Sequence, residues 1–258
     1  MKRLFRLAVA AAAVICLAPL VSHSSASFEQ RRSLQATPRL VLWAWERPED
    51  LRFINPEHVG VAFLAGTIHL SAAATDFHRR MQPLRVSRRT KLIAVIRIEA
   101  TPDARLDRQQ LQKSLKYLVE VSTLREVVAV QIDFDATVSE RAFYRQLLVE
   151  YRGHLPFSTP ISITALASWC IGDQWIADLP IDEAVPMLFR MGTGQNEVTS
   201  WIRSARDFSA PVCRDSLGIS TDEPWKSLPS GRRVYAFSPK PWDQGSLDAL
   251  NWEIHKWH

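Results

Sequence analysis

Glycine is scarce in this chain, 9 residues in 258, and the scarcity removes several activities at once. No Gly-x-Gly-x-x-Gly turn follows the first apolar run, so a nucleotide-binding doubly wound sheet has no support. No Gly-x-Ser-x-Gly elbow is present, which takes away the usual route to a serine hydrolase. No glycine- or serine-rich linker divides the chain. The histidines lack metal-ligand spacing: His58, His69 and His78 share one third of the sequence without a His-x-x-x-His pair and a supporting carboxylate, and His255 and His258 sit at its end. Neither a metal nor a cofactor is expected. Cysteine is limited to Cys16, Cys170 and Cys213, and no Leu-x-Gly/Ala-Cys pattern surrounds Cys16, so a lipoprotein is not expected.

What is present at the amino terminus is Lys2, Arg3 and Arg6, an apolar run from Leu7 to Val21, and Ser24-Ser25-Ala26 with small residues where a signal peptidase would cut. Residues 1–26 therefore read as an export signal, and the protein as periplasmic or secreted. The run is broken by Pro19 and is shorter than the roughly 20 apolar residues of a membrane span, so no span is expected after cleavage. Losing three basic and no acidic side chains lowers the formal charge from +5 to +2. The remaining arginine pairs are scattered, without the aromatic or glycine pattern of a nucleic-acid module, and no nucleic acid partner is expected. Residues 27–38 read as a flexible N-terminal segment and residues 39–258 as a single domain of barrel size. Export would permit a disulfide between Cys170 and Cys213. The strand assignment below places them near opposite ends of a barrel, while pairing needs alpha carbons within roughly 7 Å, so the bridge stays open here, as does the oligomeric state.

Eight short apolar runs alternate with segments of helical spacing: Leu40 to Trp45, Val59 to Ala65, Leu92 to Ile98, Val127 to Asp135, Ile161 to Ala167, Glu183 to Phe189, Ser216 to Ser220 and Arg233 to Phe237. Helices are expected over Asp107 to Leu124, Ser139 to Tyr151 with Ser139 as N-cap, Asn196 to Phe208 and Ser246 to His255. Trp169 to Asp182, with Gly172 and Pro180, reads as a loop of at most one turn. The fold class that follows is α/β, a (β/α)8 TIM-type barrel with some short or irregular helical connections.

In such a barrel, catalytic groups gather at the C-terminal ends of the strands. Period two places Val95, Arg97 and Glu99 on one face of the third run, Gln131, Asp133 and Asp135 on one face of the fourth, Ser162, Thr164 and Ser168 on the fifth, and Gly218, Ser220 and Asp222 on the seventh. Two carboxylates on one face of a buried strand cost several kcal/mol per ion unless paired or solvated, which points to chemistry there. Arg97, Glu99, Asp133, Asp135 and Ser168 are expected at the mouth, with Glu46, Arg190, Asp222 and Glu223 contributed by more distant strands. Trp45, Trp169, Trp225 and Trp242 fall at or just beyond strand ends, where indole faces stack on sugar rings. Trp43 and Trp201 are assigned to packing, and Asp173, Asp178, Asp182 and Glu183 to a solvated acidic face.

The segments Val41-Leu42-Trp43-Ala44-Trp45-Glu46-Arg47-Pro48, Gln131-Ile132-Asp133-Phe134-Asp135, Ile163 to Cys170, Val185 to Gly192 and Gly218 to Pro224 together resemble the exported bacterial family catalogued as domain of unknown function 3142, over nearly all of the mature chain. The resemblance implies a barrel related to glycoside hydrolases and no established reaction. More distantly, the fourth run is similar to that of chitinase-like glycoside hydrolases, which end it in alternating acidic residues and a final glutamate. Asp133 and Asp135 match the pair, but Thr137 stands at the glutamate's place and cannot donate a proton in the same way.

The leading expectation is a glycoside hydrolase-like enzyme on a cell-envelope or environmental polysaccharide. Asp135 is its general acid, Asp133 an ionised partner and Glu99 a further candidate carboxylate. A carbohydrate would be bound by Arg97, Glu46, Trp45, Ser168, Trp169, Arg190, Asp222 and Glu223. The competing expectation, favoured by Thr137, is a barrel that binds glycans without cutting them.

Overall fold

The computed structural model describes Leu34 and residues 37–257 apart from Phe157 and Ala205; the expected signal at residues 1–26 lies outside them. The strands are β1 (Leu40–Ala44), β2 (Glu49–Asp50), β3 (Val59–Ser71), β4 (Ala74–Arg79), β5 (Leu84–Arg85), β6 (Leu92–Ala100), β7 (Val127–Asp133), β8 (Ile161–Leu166), β9 (Glu183–Met187), β10 (Ser216–Ser220) and β11 (Arg233–Phe237). Eight of them, in the order β1, β3, β6, β7, β8, β9, β10, β11, pair in parallel, and β1 also pairs with β11, so the sheet closes into a barrel. The helices are α1 (Arg108–Ser122), α2 (Arg141–His154), α3 (Ala167–Ile171), α4 (Gln195–Arg203) and α5 (Gln244–His255).

Alternation along the strands divides the apolar residues into two sets. Val130, Ile132 and Phe134 of the fourth barrel strand and its extension face outward with Ile96, Ile98, Ile161 and Ile163, packing on Leu111, Leu115, Leu118, Leu147 and Leu148 of the helices. Val41, Trp43, Ala62, Val95, Ala129, Val185 and Tyr235 fill the interior, and Leu34, from the stretch expected to be flexible, is buried among them. Gly218 leaves room for the indole of Trp43: a Cβ there would meet its Cη2 at 3.0 Å.

A polar chain runs through this apolar filling. Trp43 Nε1 donates to Gln131 Oε1 (2.8 Å), Gln131 Nε2 to Ser162 Oγ (3.1 Å), and Ser162 Oγ to Glu183 Oε2 (3.0 Å), which also accepts from Tyr235 OH (2.8 Å). Arg233 neutralises the same carboxylate at 2.5 Å. Glu183, expected on a solvated acidic face, is thus 1% exposed. It opens β9 with its side chain inward, and burial is tolerable because three donors satisfy it.

Other expectations are corrected locally. Ser139 does not cap α2: Glu140 holds that position without a side-chain cap bond, while its carboxylate accepts from Thr137 N at 2.6 Å. The stretch read as a loop from Trp169 begins inside α3, followed by a 3-10 turn at Gln174–Ile176. Cys170 and Cys213 form a disulfide with alpha carbons 5.9 Å apart. They are not at opposite ends, because the chain returning toward β10 lies against α3, Ser209 N and Ala210 N both donating to Cys170 O.

The second barrel strand, 13 residues long, runs six residues beyond the expected end at Ala65. A bulge between Leu64 and Gly66 shifts its register against β6, and the strand runs on into an antiparallel hairpin with β4. Because one extra residue inverts the alternation, Ile68 and Leu70 turn outward, while Thr67 and His69 stand beside Arg97 and Glu99.

Candidate functional site

The C-terminal ends of β3, β6, β7 and β8 bring one charged cluster to the barrel mouth. Asp133 closes β7 beside Arg97 of β6, and Thr164 Oγ1 of β8 donates to Asp133 Oδ1 at 2.7 Å. On the neighbouring side Arg97 Nε meets Glu99 Oε1 at 2.8 Å, and His69 Nδ1 lies 3.1 Å from Glu99 Oε2. The rings of His69 and His78 are 4.7 Å apart, so the hairpin continues this cluster outward. Trp45, partly buried, lies under the Arg97 guanidinium at 6.0 Å. Its loop is fixed by Arg80, which donates to the carbonyls of Ala44, Trp45 and Arg47.

The two aspartates differ in environment. Asp133 is largely enclosed, and loss of water pushes its carboxyl up to about 6; Thr164 and Arg97 oppose this, Asp135 and Glu99 reinforce it. Asp135, two residues on and exposed, is also displaced upward by desolvation, against Arg97. Asp133 keeps partial access to solvent. The site therefore holds a carboxyl able to keep its proton at mildly acidic pH beside a second, better solvated one.

Across the mouth, after β9 and β10, three and four strands from β6, a second cluster surrounds Arg190. Its Nη2 binds Asp222 Oδ2 at 2.9 Å, its Nη1 meets Ser220 Oγ at 3.3 Å, and its backbone N donates to Glu223 Oε2 at 3.0 Å. Arg190 sits at φ 50°, a left-handed conformation that a non-glycine residue seldom adopts. That bend directs its guanidinium over Phe189 and Phe237, whose rings are parallel at 5.8 Å. Arg97, Glu99, Asp133 and Asp135 thus share one side of the rim and Arg190, Asp222 and Glu223 the other, with Glu46 exposed after β1.

Three expected ligand contacts move elsewhere. Trp169 is 3% exposed, packed edge-on against Trp175 with ring centroids 4.9 Å apart. Trp242 is 4% exposed and donates to Trp43 O at 3.0 Å. Ser168 is not on the inward face of a strand, because β8 ends at Leu166 and the chain turns at once into α3. Trp225 is half-buried after β10, with its indole N–H on Leu188 O at 2.8 Å and part of its ring exposed.

Sequence reasoning missed His69 and Tyr144. His69 lies beyond Ala65, where the run was expected to end, in the part of β3 that follows the bulge. Tyr144, on α2, is fully buried with a hydroxyl that has no hydrogen-bond partner among the described residues. Burial and, behind it, the charges of Asp133 and Asp135 hold that phenol well above its usual range, so it stays neutral. Its position in the apolar stripe of α2 gave no sign of this. Among the described residues, no group of three or more His, Cys, Asp or Glu side chains is placed to hold a metal ion. Comparison with family models, curated proteins and solved structures finds no match to this chain.

Proposed function

We propose that the protein is an exported, glycoside hydrolase-like enzyme in which Asp133 and Asp135 perform acid and base work on a polysaccharide laid across the barrel mouth. The observation that carries this reading is the proton affinity of Asp133, raised to about 6 with a second carboxylate next to it on the same face. The sequence alone favours Asp135 as the donor. The electrostatics favour Asp133 as the principal proton holder and Asp135 as the solvated partner, the two titrating as a pair. Arg97 limits the charge that the pair presents, and the Arg190 cluster opposite supplies donors for sugar hydroxyls. The resemblance to an exported family and the Cys170–Cys213 bridge, which needs an oxidising compartment, support the location.

The test is hydrolysis of a panel of envelope and plant polysaccharides by the intact protein and by Asp133→Asn and Asp135→Asn variants. Loss of product in both is expected; turnover unchanged in both removes the pair from the chemistry. A non-catalytic glycan-binding barrel is the second reading. It is favoured by Glu99, whose two oxygens are occupied by Arg97 and His69, and by Thr137 at an exposed position where the chitinase-like pattern has its acid. Binding on a glycan array without any cleavage product would support it.

A further inference from the structure

The ring of helices around the barrel has a gap. Between β10 and β11, residues 221–232 contain no helix, so this connection adds none to the ring before α5 begins at Gln244. A cavity of about 850 Å³ occupies one part of the gap, against α4, and a smaller one of about 170 Å³ lies against α5. Glu223, Pro224 and Trp225 line both. The larger cavity starts at the mouth, where it is lined by Glu223, and runs down the side of the barrel to Arg232, just before β11.

Its charges are unbalanced. The two carboxylates in its wall are engaged: Asp207 by Arg232, and Glu223 by the backbone and guanidinium of Arg190. Arg232 is itself 8% exposed at the side chain, stacks on Phe208 at 5.2 Å, and has a buried Nη1 with no hydrogen-bond partner among the described residues. Arg203, Arg206 and Lys226 line the same space and are not ion-paired to any described carboxylate, Arg206 resting on the Trp201 ring at 5.2 Å. Three cations and a buried, incompletely satisfied guanidinium in one concave wall hold net positive charge that an anion would neutralise.

We infer that this groove binds a carboxylate-bearing polysaccharide, an acidic glycan whose uronate groups meet Arg203, Arg206 and Lys226 while a sugar ring rests on Trp225. Guanidinium forks match planar carboxylates in two-point contacts, and an indole at the edge of an elongated cavity suits a pyranose face. The groove reaches the mouth at Glu223, which is tied to Arg190, so a chain bound there ends at the rim, across the mouth from Asp133 and Asp135. The identity of the substrate rests on that proposed function; the binding itself does not.

The experiment is calorimetric titration of the whole protein with an oligogalacturonate, a neutral oligosaccharide of equal length and inorganic phosphate, at low and physiological salt. The acidic oligomer alone is expected to bind, more weakly as salt rises. Combined Arg203→Ala and Lys226→Ala is expected to lower that affinity about tenfold or more, with the far-ultraviolet circular dichroism unchanged. Equal binding of phosphate, or affinity untouched by the double variant, overturns the inference. Loss of affinity with a changed circular dichroism spectrum is decided by Arg206→Gln, a single change at an exposed position: weakened binding with the spectrum unchanged supports the groove, and untouched binding overturns it. Groove binding without cleavage would sink the enzymatic reading alone, whereas cleavage of neutral glycans with no acidic binding would sink the groove alone.

Discussion

Thr164 donates its hydroxyl proton to Oδ1 of Asp133 across the seam between β8 and β7, at 2.7 Å. The bond favours the ionised carboxylate and so restrains the upward push of burial. Replacing Thr164 with Val keeps the volume and removes the donor. The Asp133 midpoint is then expected to rise above about 6, and the acid limb of any pH–rate profile to move upward with it. Carbon-detected NMR titration of the side-chain carboxyl reads this directly; a midpoint that falls or stays in place contradicts the arrangement.

A carboxyl that holds its proton more tightly folded than unfolded contributes most to stability at low pH. Unfolded, Asp133 ionises near 3.8; folded, near 6. Its contribution is full below about pH 4 and is lost as pH rises through 6, a change of about 2–3 kcal/mol. Asp133→Asn removes that dependence. Urea denaturation at pH 4.5, 6 and 7.5 should show the variant gaining on the natural protein as pH rises, and a constant difference would be the failing result.

The carboxylate of Glu183 gathers Ser162, Tyr235 and Arg233 inside the barrel. Glu183→Ala leaves a buried guanidinium without its counter-ion, and a loss of about 3–5 kcal/mol is expected. Chemical denaturation measures it. A loss below about 1 kcal/mol would mean that Arg233 finds water instead.

The Cys170–Cys213 bridge closes a sequence separation of 43 residues. The chain-entropy relation gives about 4 kcal/mol for a loop of that size. The Cys170→Ser variant, or the reduced protein, should unfold at correspondingly lower denaturant, and thiol counting on the untreated protein should find neither cysteine free.

Gly66 sits where the bulge brings β4 closest: a Cβ there would lie 2.5 Å from the Phe77 ring and 2.8 Å from His78 O. Gly66→Ala is expected to cost about 1–3 kcal/mol and to detach the hairpin carrying His78. Faster amide exchange confined to residues 66–79 would reveal it.

The barrel was legible because its signals are local. Every expected run became a strand or most of one, since apolar alternation and turn residues act over a few positions. The faces of β6 and β7 follow from period two, which is why Arg97, Glu99, Asp133 and Asp135 meet where expected. The misses arise where a strand runs on or stops short, or where distant segments meet. His69 lies in the part of β3 that follows the bulge, beyond the expected end at Ala65. Trp169 entered α3 because β8 stopped one residue early, which turned it from the mouth to the outer core. Glu183 belongs to an acidic stretch in sequence, and its partners Ser162, Tyr235 and Arg233 come from three other places in the chain. The meeting of Cys170 and Cys213 depends on how a connection folds back, which spacing does not encode.

The indole of Trp43, locked to Gln131 and tilted at 33° against Tyr235 with ring centroids 5.4 Å apart, acts as a floor laid across the cylinder. Below it the axis is occupied by side chains and sealed by Leu34. Anything that reaches Asp133 or Arg97 consequently comes from above that floor, by the C-terminal ends of the strands, and not along the axis from below.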